Sequence, residues 1–203
     1  MNNVPRQIIL VCAYWFALTG QAMADSLSEA EVAYNAKDYT KAGKLLRPLA
    51  EQGNANAQLD LGIMYDLGQG VLQDYREAAK WYRLAAEQGN AIAQSSLGVI
   101  YRNGQGVLQN YQEAVKWIRL SAEQGNASAQ SNLGAMYNTG QGVPQDYVRA
   151  HMWMNIANAN ADSEKQKIYI GQRNQVAEHM NANQIAEAQE LARKCTANKF
   201  KGC

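Results

Sequence analysis

The amino-acid sequence predicts an all-α protein, an α/α superhelical solenoid of antiparallel helix pairs with terminal capping helices. The first observation is a repeat of 36 residues, carried by a Leu-Gly pair, a tyrosine and a tryptophan. These residues are Leu61-Gly62, Leu97-Gly98 and Leu133-Gly134; Tyr65, Tyr101 and Tyr137; and Trp81, Trp117 and Trp153. The second is the segment Gly-Gln-Gly-Val, which recurs at residues 68–71, 104–107 and 140–143. A fixed period of about 20 to 50 residues is typical of stacked supersecondary units.

Residues 1–24 have the pattern of a secretory signal peptide. Arg6 supplies a positive charge, an uncharged and mostly apolar run follows at Ile8 to Leu18, and Ala22-Met23-Ala24 is a small-x-small cleavage site. The apolar run is shorter than the roughly 20 residues that span a bilayer. We therefore expect cleavage before Asp25, export to the periplasm or the medium, and no stable membrane insertion afterwards. An uncleaved N-terminal anchor is the alternative.

Residues 25–54 are predicted to form a degenerate repeat that caps the N-terminal end. Asp38-Tyr39 aligns with Asp74-Tyr75, and the Ala-Glu-Gln-Gly-Asn sequence of residues 50–54 returns at residues 86–90. The glycine segment is missing, so we expect a shorter hairpin that covers the open end of the solenoid.

Three full units follow, at residues 55–90, 91–126 and 127–162. In each, small and apolar residues at helical spacings predict a first amphipathic helix. Gly68 and Gly70 should end this helix, because glycine reaches positive φ without steric cost and a tight turn requires it.

A second helix of the unit is predicted to begin at Asp74, with Glu77 completing a capping box. Gly89 stands where a helix C-terminal glycine belongs, and Asn90 can cap the next helix. Gly62 lies inside the first helix, which costs about 1 kcal/mol relative to alanine. We expect its absent side chain to admit another helix closely, one that bears the ring of Trp81.

Residues 163–203 are predicted to form C-terminal capping helices and a tail. Residues 163–180 read as a polar helix, and Asn181 to Gln184 has a capping-box pattern that opens a last helix. Cys195 and Cys203 are the cysteines of the chain beyond the leader, and export would permit a disulfide between them. Two free thiols are the alternative.

The charge balance argues against binding to nucleic acid or to an anionic membrane. Without Arg6, the 19 lysines and arginines become 18, equal to the 18 acidic residues. In our interpretation, the tail carries four basic residues that have no acidic neighbour. They are Arg193, Lys194, Lys199 and Lys201. A solvated charge cluster is favoured there over an anion site.

The repeated unit resembles the Sel-one-like repeat (SLR) family, which is related to the tetratricopeptide repeats. The matching residues are Ala57-Gln58, Leu61 to Tyr65, Gly68 to Val71, Asp74-Tyr75, Glu77-Ala78, Lys80 to Tyr82 and Ala85 to Asn90. The resemblance implies a right-handed superhelix and a protein-binding scaffold of the exported bacterial type. Exported relatives are implicated in host contact, in envelope complexes and, for a cysteine-rich subgroup, in binding cell-wall fragments or penicillins. The repeats of this chain contain no cysteine pair and the chain contains no Ser-x-x-Lys, which speaks against a penicillin-directed activity.

The sequence predicts neither catalytic residues nor a metal or cofactor site. His151 and His179 are the histidines of the chain, and neither has a catalytic or metal-binding partner at a known spacing. We expect both to be surface or partly packed structural residues. The recurring tryptophans and tyrosines are interpreted as core residues.

A binding face is instead predicted where the repeats disagree. The variable positions of the first helices follow i, i+4, i+7 and i+11 and therefore share one side, which tetratricopeptide-like solenoids turn toward a concave groove. We call this set the groove face: Asn56, Asp60, Ile63, Leu67, Ile92, Ser96, Val99, Asn103, Ser128, Asn132, Ala135 and Thr139, bordered by Asp66, Arg102 and Asn138. Its polar rim and apolar centre suit an extended peptide or a helix, and a merely solvated face is the alternative.

The sequence therefore favours a monomeric, non-catalytic, exported scaffold that binds a protein or peptide. An envelope enzyme or glycan and cell-wall-fragment binder is one alternative, and a secreted host-interaction factor is another.

Overall fold

The computed structural model describes residues 25–203, within which ten helices and no strand are present. The predictions for the leader lie outside the described residues. The helices are α1 (25–35), α2 (Tyr39–Glu51), α3 (Ala55–Leu67), α4 (Tyr75–Glu87), α5 (Ala91–Asn103), α6 (Tyr111–Ala122), α7 (Ala127–Thr139), α8 (Tyr147–Asn160), α9 (Ser163–Ala177) and α10 (Ala182–Ala197).

The helices stack in chain order. From α2 to α9 each helix packs against the next, and the first helices α3 and α5 also contact each other. The last helix departs from this order, because α10 packs against α8, as α9 also does. The predicted all-α repeat solenoid is confirmed, and its C-terminal end is built around α8.

The helix ends follow from local sequence. Each first helix begins after an asparagine whose side-chain oxygen accepts backbone N–H bonds, at Asn54, Asn90 and Asn126. Each ends at a glycine in the left-handed region, with φ of 68° at Gly68 and 70° at Gly104. The turns of the solenoid are therefore specified within each unit.

The expected capping box at the start of α4 is only half formed. The Asp74 carboxylate accepts from the N–H groups of Arg76 and Glu77 at 2.8 and 3.2 Å. The N–H of Asp74 donates to the carbonyl of Tyr65 at 3.0 Å, so it is not available to Glu77. Glu77 pairs with Lys80 instead, at 3.6 Å. The capping box predicted at Asn181 and Gln184 is present in full.

The second glycine of each Gly-Gln-Gly segment has a packing role. A Cβ on Gly106 would lie 2.4 Å from the carbonyl carbon of Tyr75, and one on Gly142 would lie 2.3 Å from the carbonyl oxygen of Tyr111. Both contacts are with the backbone at the start of the second helix one unit earlier. The segment therefore joins successive units as well as turning the chain.

The glycines inside the first helices also permit close packing, but the neighbour is not the tryptophan. A Cβ on Gly62 would lie 2.5 Å from Tyr82, and one on Gly98 would lie 2.5 Å from Ile118. The helix that approaches Gly62 is α4, which bears Trp81 as expected, and the residue in contact is the adjacent Tyr82. Trp81 is buried elsewhere in the core, 4% exposed.

A ladder of buried side-chain amides links the units. One glutamine in each first helix donates to a carbonyl oxygen eight residues earlier and accepts from an amide at the end of the following helix. The donations are Gln58 to Ala50, Gln94 to Ala86 and Gln130 to Ala122, at 3.0, 3.1 and 3.1 Å. The amides that donate to these glutamines are Gln88, Gln124 and Asn160, at 2.8, 2.8 and 3.0 Å. Each glutamine gives a second hydrogen bond to a helix-end carbonyl that also accepts from the N–H of a following glycine, at Gly53, Gly89 and Gly125.

The two histidines differ in environment. His151 is only 4% exposed and its Nδ1 has no hydrogen-bond partner, so the expected surface or partly packed position was wrong. Burial, and then the nearby Arg173, lower the pKa of His151, which keeps the imidazole neutral. His179 is exposed and stacks on Tyr147 with ring centroids 5.1 Å apart.

The tail folds back against α10. The structure contains a disulfide bond between Cys195 and Cys203. The interpretation that Arg193 and Lys194 lack an acidic neighbour was wrong, because Glu190 accepts from Arg193 at 2.6 Å and pairs with Lys194 at 3.5 Å. These pairs lie one turn apart on the helix surface, where the sequence spacing already placed them.

Candidate functional site

The groove face is accessible along its whole length. Its residues come from α3, α5 and α7, and all of them are exposed or half-buried. The residues that repeat in the same helices, among them Leu61, Leu97 and Leu133, are buried. The match between repetition and burial is partial, because the position of Leu59, Ser95 and Ser131 varies between units and is also buried.

Two largely exposed side chains give the groove face its apolar character. Leu67 and Ile92 are 58% and 53% exposed, so both present apolar area to solvent on this face. Ile63 and Val99 are half-buried on the same helices, one turn from Leu67 and two turns from Ile92 respectively. These residues can bury further apolar area only against another molecule.

Some polar side chains of the groove face form hydrogen bonds with neighbouring residues. Arg102 donates to the side-chain oxygen of Asn132 at 3.0 Å, which joins two units. The Asp66 carboxylate accepts from Tyr82 at 3.2 Å. Such contacts fix side chains in place and leave their remaining hydrogen-bonding capacity directed outward.

The third unit differs from the first two because α9 contacts its first helix, α7. The hydroxyls of Ser128 and Tyr169 are 3.3 Å apart, and Ser131 donates to Gln172 at 2.7 Å. The structure thus places Ser128, which remains exposed, beside the C-terminal cap.

A cavity of about 360 Å³ lies at the other end, between α1, α2 and α3. It brings Asp60 of the groove face together with Glu31 and Tyr34 of α1. The sequence analysis missed both α1 residues. The spacing Leu27, Ala30, Glu31, Tyr34 is that of one helix face and could have indicated it, but no repeat pattern marked this helix.

The electrostatics of this cavity are acidic. Burial, and then the proximity of Glu31, raise the pKa of Asp60 from 3.8 to about 6. Burial, then Tyr39 and Asp60, raise the pKa of Tyr34, so this phenol stays neutral. Its hydroxyl donates to Gln69 at 2.7 Å, across to the first glycine segment.

A second cavity, of about 330 Å³, lies between α8, α10 and the disulfide-closed tail. Arg149, Lys194 and Lys201 contribute to its wall. Arg149 pairs with Asp146 at 3.6 Å and Lys194 with Glu190, so much of its positive charge is already balanced.

The described residues contain no group of three or more metal-ligating side chains. Within 25–203, none of the helices is both long enough and apolar enough to cross a bilayer.

The Sel1 repeat model matches the chain at residues 36–54, 55–90, 91–126 and 127–162. No protein with a curated description gives a significant match.

Two solved structures are similar in both sequence and fold. A protective antigen present in uropathogenic Escherichia coli strains, which displays an SLR fold, is 37% identical with a TM-score of 0.67. That match covers 73% of this chain and 33% of the antigen, so the chain spans about one third of the antigen's length. A Sel1 repeat protein from Oxalobacter formigenes is 31% identical with a TM-score of 0.64, covering 86% of this chain and 77% of the other.

Sel1 repeats generally mediate protein–protein interaction, and the family is typically non-catalytic. The model match extends over more than half of the sequence, and many buried residues recur every 36 residues, among them Leu61, Leu97 and Leu133. The chain belongs to the Sel1 repeat family.

Proposed function

We propose that this protein is a non-catalytic, exported, monomeric scaffold that binds a protein or peptide partner along the groove face. The observation that carries the proposal is the accessibility of Leu67 and Ile92, which lie at the C-terminal end of α3 and the N-terminal end of α5 on that face. Burial of a leucine or isoleucine against a partner contributes about 1.5 to 3 kcal/mol, enough for each to act as an anchor.

The binding face is tested by a matched pair of substitutions. Ile92→Glu places a charge in the groove face, whereas Leu108→Glu places the same charge on a turn where the side chain is 90% exposed. We expect Ile92→Glu to abolish capture of the crosslinked partner from the native cells, and Leu108→Glu to retain it. Both variants should melt at the temperature of the parent protein, since neither side chain is buried. Retention of the partner by Ile92→Glu would place the interface elsewhere.

Export is the second part of the proposal. The leader pattern of residues 1–24 and the disulfide of Cys195 and Cys203 both support it, since disulfides persist in oxidising compartments. The E. coli relative is a protective antigen, which favours a location that a host can reach. Fractionation into cytoplasm, periplasm, outer membrane and medium, with thiol alkylation of each fraction, tests this. Reduced protein confined to the cytoplasm would contradict export.

A further inference from the structure

The cavity between α1, α2 and α3 carries charge of one sign. Its charged lining residues within the described chain are Glu31 and Asp60, and both are acidic. Neither forms an ion pair with a residue in 25–203. The neighbouring Lys41 is engaged with Glu29 at 2.8 Å and is not part of the lining. A half-buried carboxylate without a counter-charge is costly, and Asp60 is in that position.

The other walls of the cavity are mostly apolar. Leu27, Leu46 and Leu59 line it together with the ring of Tyr34. Its volume of about 360 Å³ is at the small end of the roughly 300–1,000 Å³ usual for ligand pockets. This combination suits a single side chain that has an apolar stem and a charged head, as lysine and arginine do.

We infer that this cavity binds a lysine or arginine side chain of the protein partner, its cationic head at Glu31 and Asp60 and its aliphatic stem against the three leucines. The inference rests on the proposed function, because Asn56 and Asp60 belong both to the cavity and to the groove face. A peptide that crosses from α3 to α5 would enter the cavity with one residue and continue toward Ile92. Charge complementarity selects basic over acidic segments at this end.

The binding should depend on pH in a defined direction. Asp60 is the group of α3 that titrates in this cavity, α1 contributes Glu31 and the neutral Tyr34, and α2 contributes the apolar Leu46. Protonation of Asp60 removes half of the negative charge. Affinity for the cation therefore rises as the pH increases through about 6, where burial has placed the pKa of Asp60.

The test uses protein expressed from its full coding sequence and follows the carboxyl carbon of Asp60 by NMR. The probe is N-acetyl-lysine-N-methylamide, and the matched control is the norleucine analogue, which has the same stem without the ammonium. We expect saturating lysine probe to lower the pKa of Asp60 by about one unit or more, as a cation within about 4–6 Å does. The norleucine probe should perturb the amides of Tyr34 and Leu59 without lowering that pKa.

Glu31→Gln and Asp60→Asn provide the second arm. Both keep the side-chain shape, and we expect each to weaken the lysine probe about tenfold. A pKa shift no larger than sodium chloride gives at equal ionic strength would overturn the inference, as would unchanged affinity in both variants. Spermidine that binds more tightly than the lysine probe would also overturn it, since the site would then serve a free polyamine.

The two proposals fail separately. If Ile92→Glu loses the partner while the lysine probe leaves Asp60 unaffected, the groove function stands and the cation site is wrong. If the lysine probe titrates Asp60 while Ile92→Glu keeps the partner, the cation site stands and the groove function is wrong.

Discussion

The three full units and the C-terminal cap use the same first-helix position in opposite ways. In the units this position is a glycine, as at Gly98 and Gly134, and the second helix of the same unit packs directly on it. In the cap the equivalent residue, 36 positions further on, is Ile170, which is 37% exposed. The reason is the position of α10, which packs on α8 and so leaves this side of α9 uncovered. A glycine is needed only where a second helix approaches.

One hydrogen bond between units has a counterpart in the cap, where the donor and acceptor positions are exchanged. In the units an arginine of the second helix donates to the hydroxyl of the next tyrosine, as Arg119 does to Tyr137 at 2.8 Å. At the equivalent positions in the cap, Arg173 donates to Asn155 at 3.3 Å. Stacking therefore requires a donor and an acceptor at this junction, and it tolerates either order.

The largest expected effect concerns the close helix contact of the units. Gly98→Val would force a branched side chain into the space of Ile118, 2.5 Å from the position of a Cβ. We expect a loss of about 3 kcal/mol in the free energy of unfolding through overpacking. Urea denaturation measures it.

The matched control for this variant is Gly171→Ala in α9, where a Cβ meets nothing within 4 Å. This change should stabilise the protein by about 1 kcal/mol, because alanine is the better helix former. Equal effects of the two glycine substitutions would remove the proposed difference between units and cap.

The cap is expected to depend on a covalent bond where the units depend on packing. The disulfide of Cys195 and Cys203 closes a loop with a sequence separation of 8. Loop entropy then gives about 2.5 kcal/mol, which should be lost in the double variant Cys195→Ala with Cys203→Ala. Hydrogen exchange should accelerate in α10 and remain slow in α5. Uniform acceleration over both helices would show that cap and units unfold together.

A smaller difference is expected along the amide ladder. Gln94 is 5% exposed and has partners on both sides, so Gln94→Ala removes two hydrogen bonds of a buried side chain and should cost about 2 kcal/mol. Gln166 occupies the equivalent position in the cap, is half-buried and donates to Ala161 at 3.1 Å. Gln166→Ala should cost less than about 1 kcal/mol because water can replace its bond. Thermal melts of the two variants, compared side by side, decide whether the ladder weakens toward the cap.

The smallest effect separates the N-terminal junction from the full units. The folded-state pKa of Asp60, about 6, exceeds its ordinary value of 3.8. Between these values the folded protein binds more protons than the unfolded chain, so this group adds stability as the pH falls. Asp60→Asn should therefore be the more stable protein at pH 7, by less than about 1 kcal/mol, since the site is partly open to solvent.

The advantage of Asp60→Asn should shrink below pH 6 and disappear near pH 4. Melting temperatures of parent and variant across this range test the sign. A variant that is less stable than the parent at pH 7 would contradict the assigned pKa.

Local features were predictable because a few neighbouring residues determine them. Asn90 caps a helix and Gly68 adopts positive φ for reasons contained in the adjacent sequence. The approach of the helix that bears Trp81 to Gly62 was predictable, but the residue in contact, Tyr82, was not, because consecutive helical residues point about 100° apart and face different neighbours. The period alone does not specify the rotation of a helix about its axis.

The groove face was predicted from positions that differ between the units, and its accessibility has a related explanation. Many packing positions recur because each unit meets the same kind of neighbour, as Leu61, Leu97 and Leu133 do, whereas positions on the surface are free to change. The acidic cavity was not predictable in this way. Glu31 and Asp60 lie on helices with no common repeat pattern, and only the packing of α1 beside α3 brings them together.

The sequence by itself determined the family, the helices, their caps and the length of each unit, because those depend on residues close together in the chain or on a strict period. The tertiary structure decided what the ends of the solenoid do. There the period stops. Packing between residues far apart in the chain determines the docking of α10 on α8, the burial of His151 and the presence of Asp60 and Glu31 in the wall of one cavity. Each of these depends on how much apolar surface a helix can cover, which no local pattern encodes.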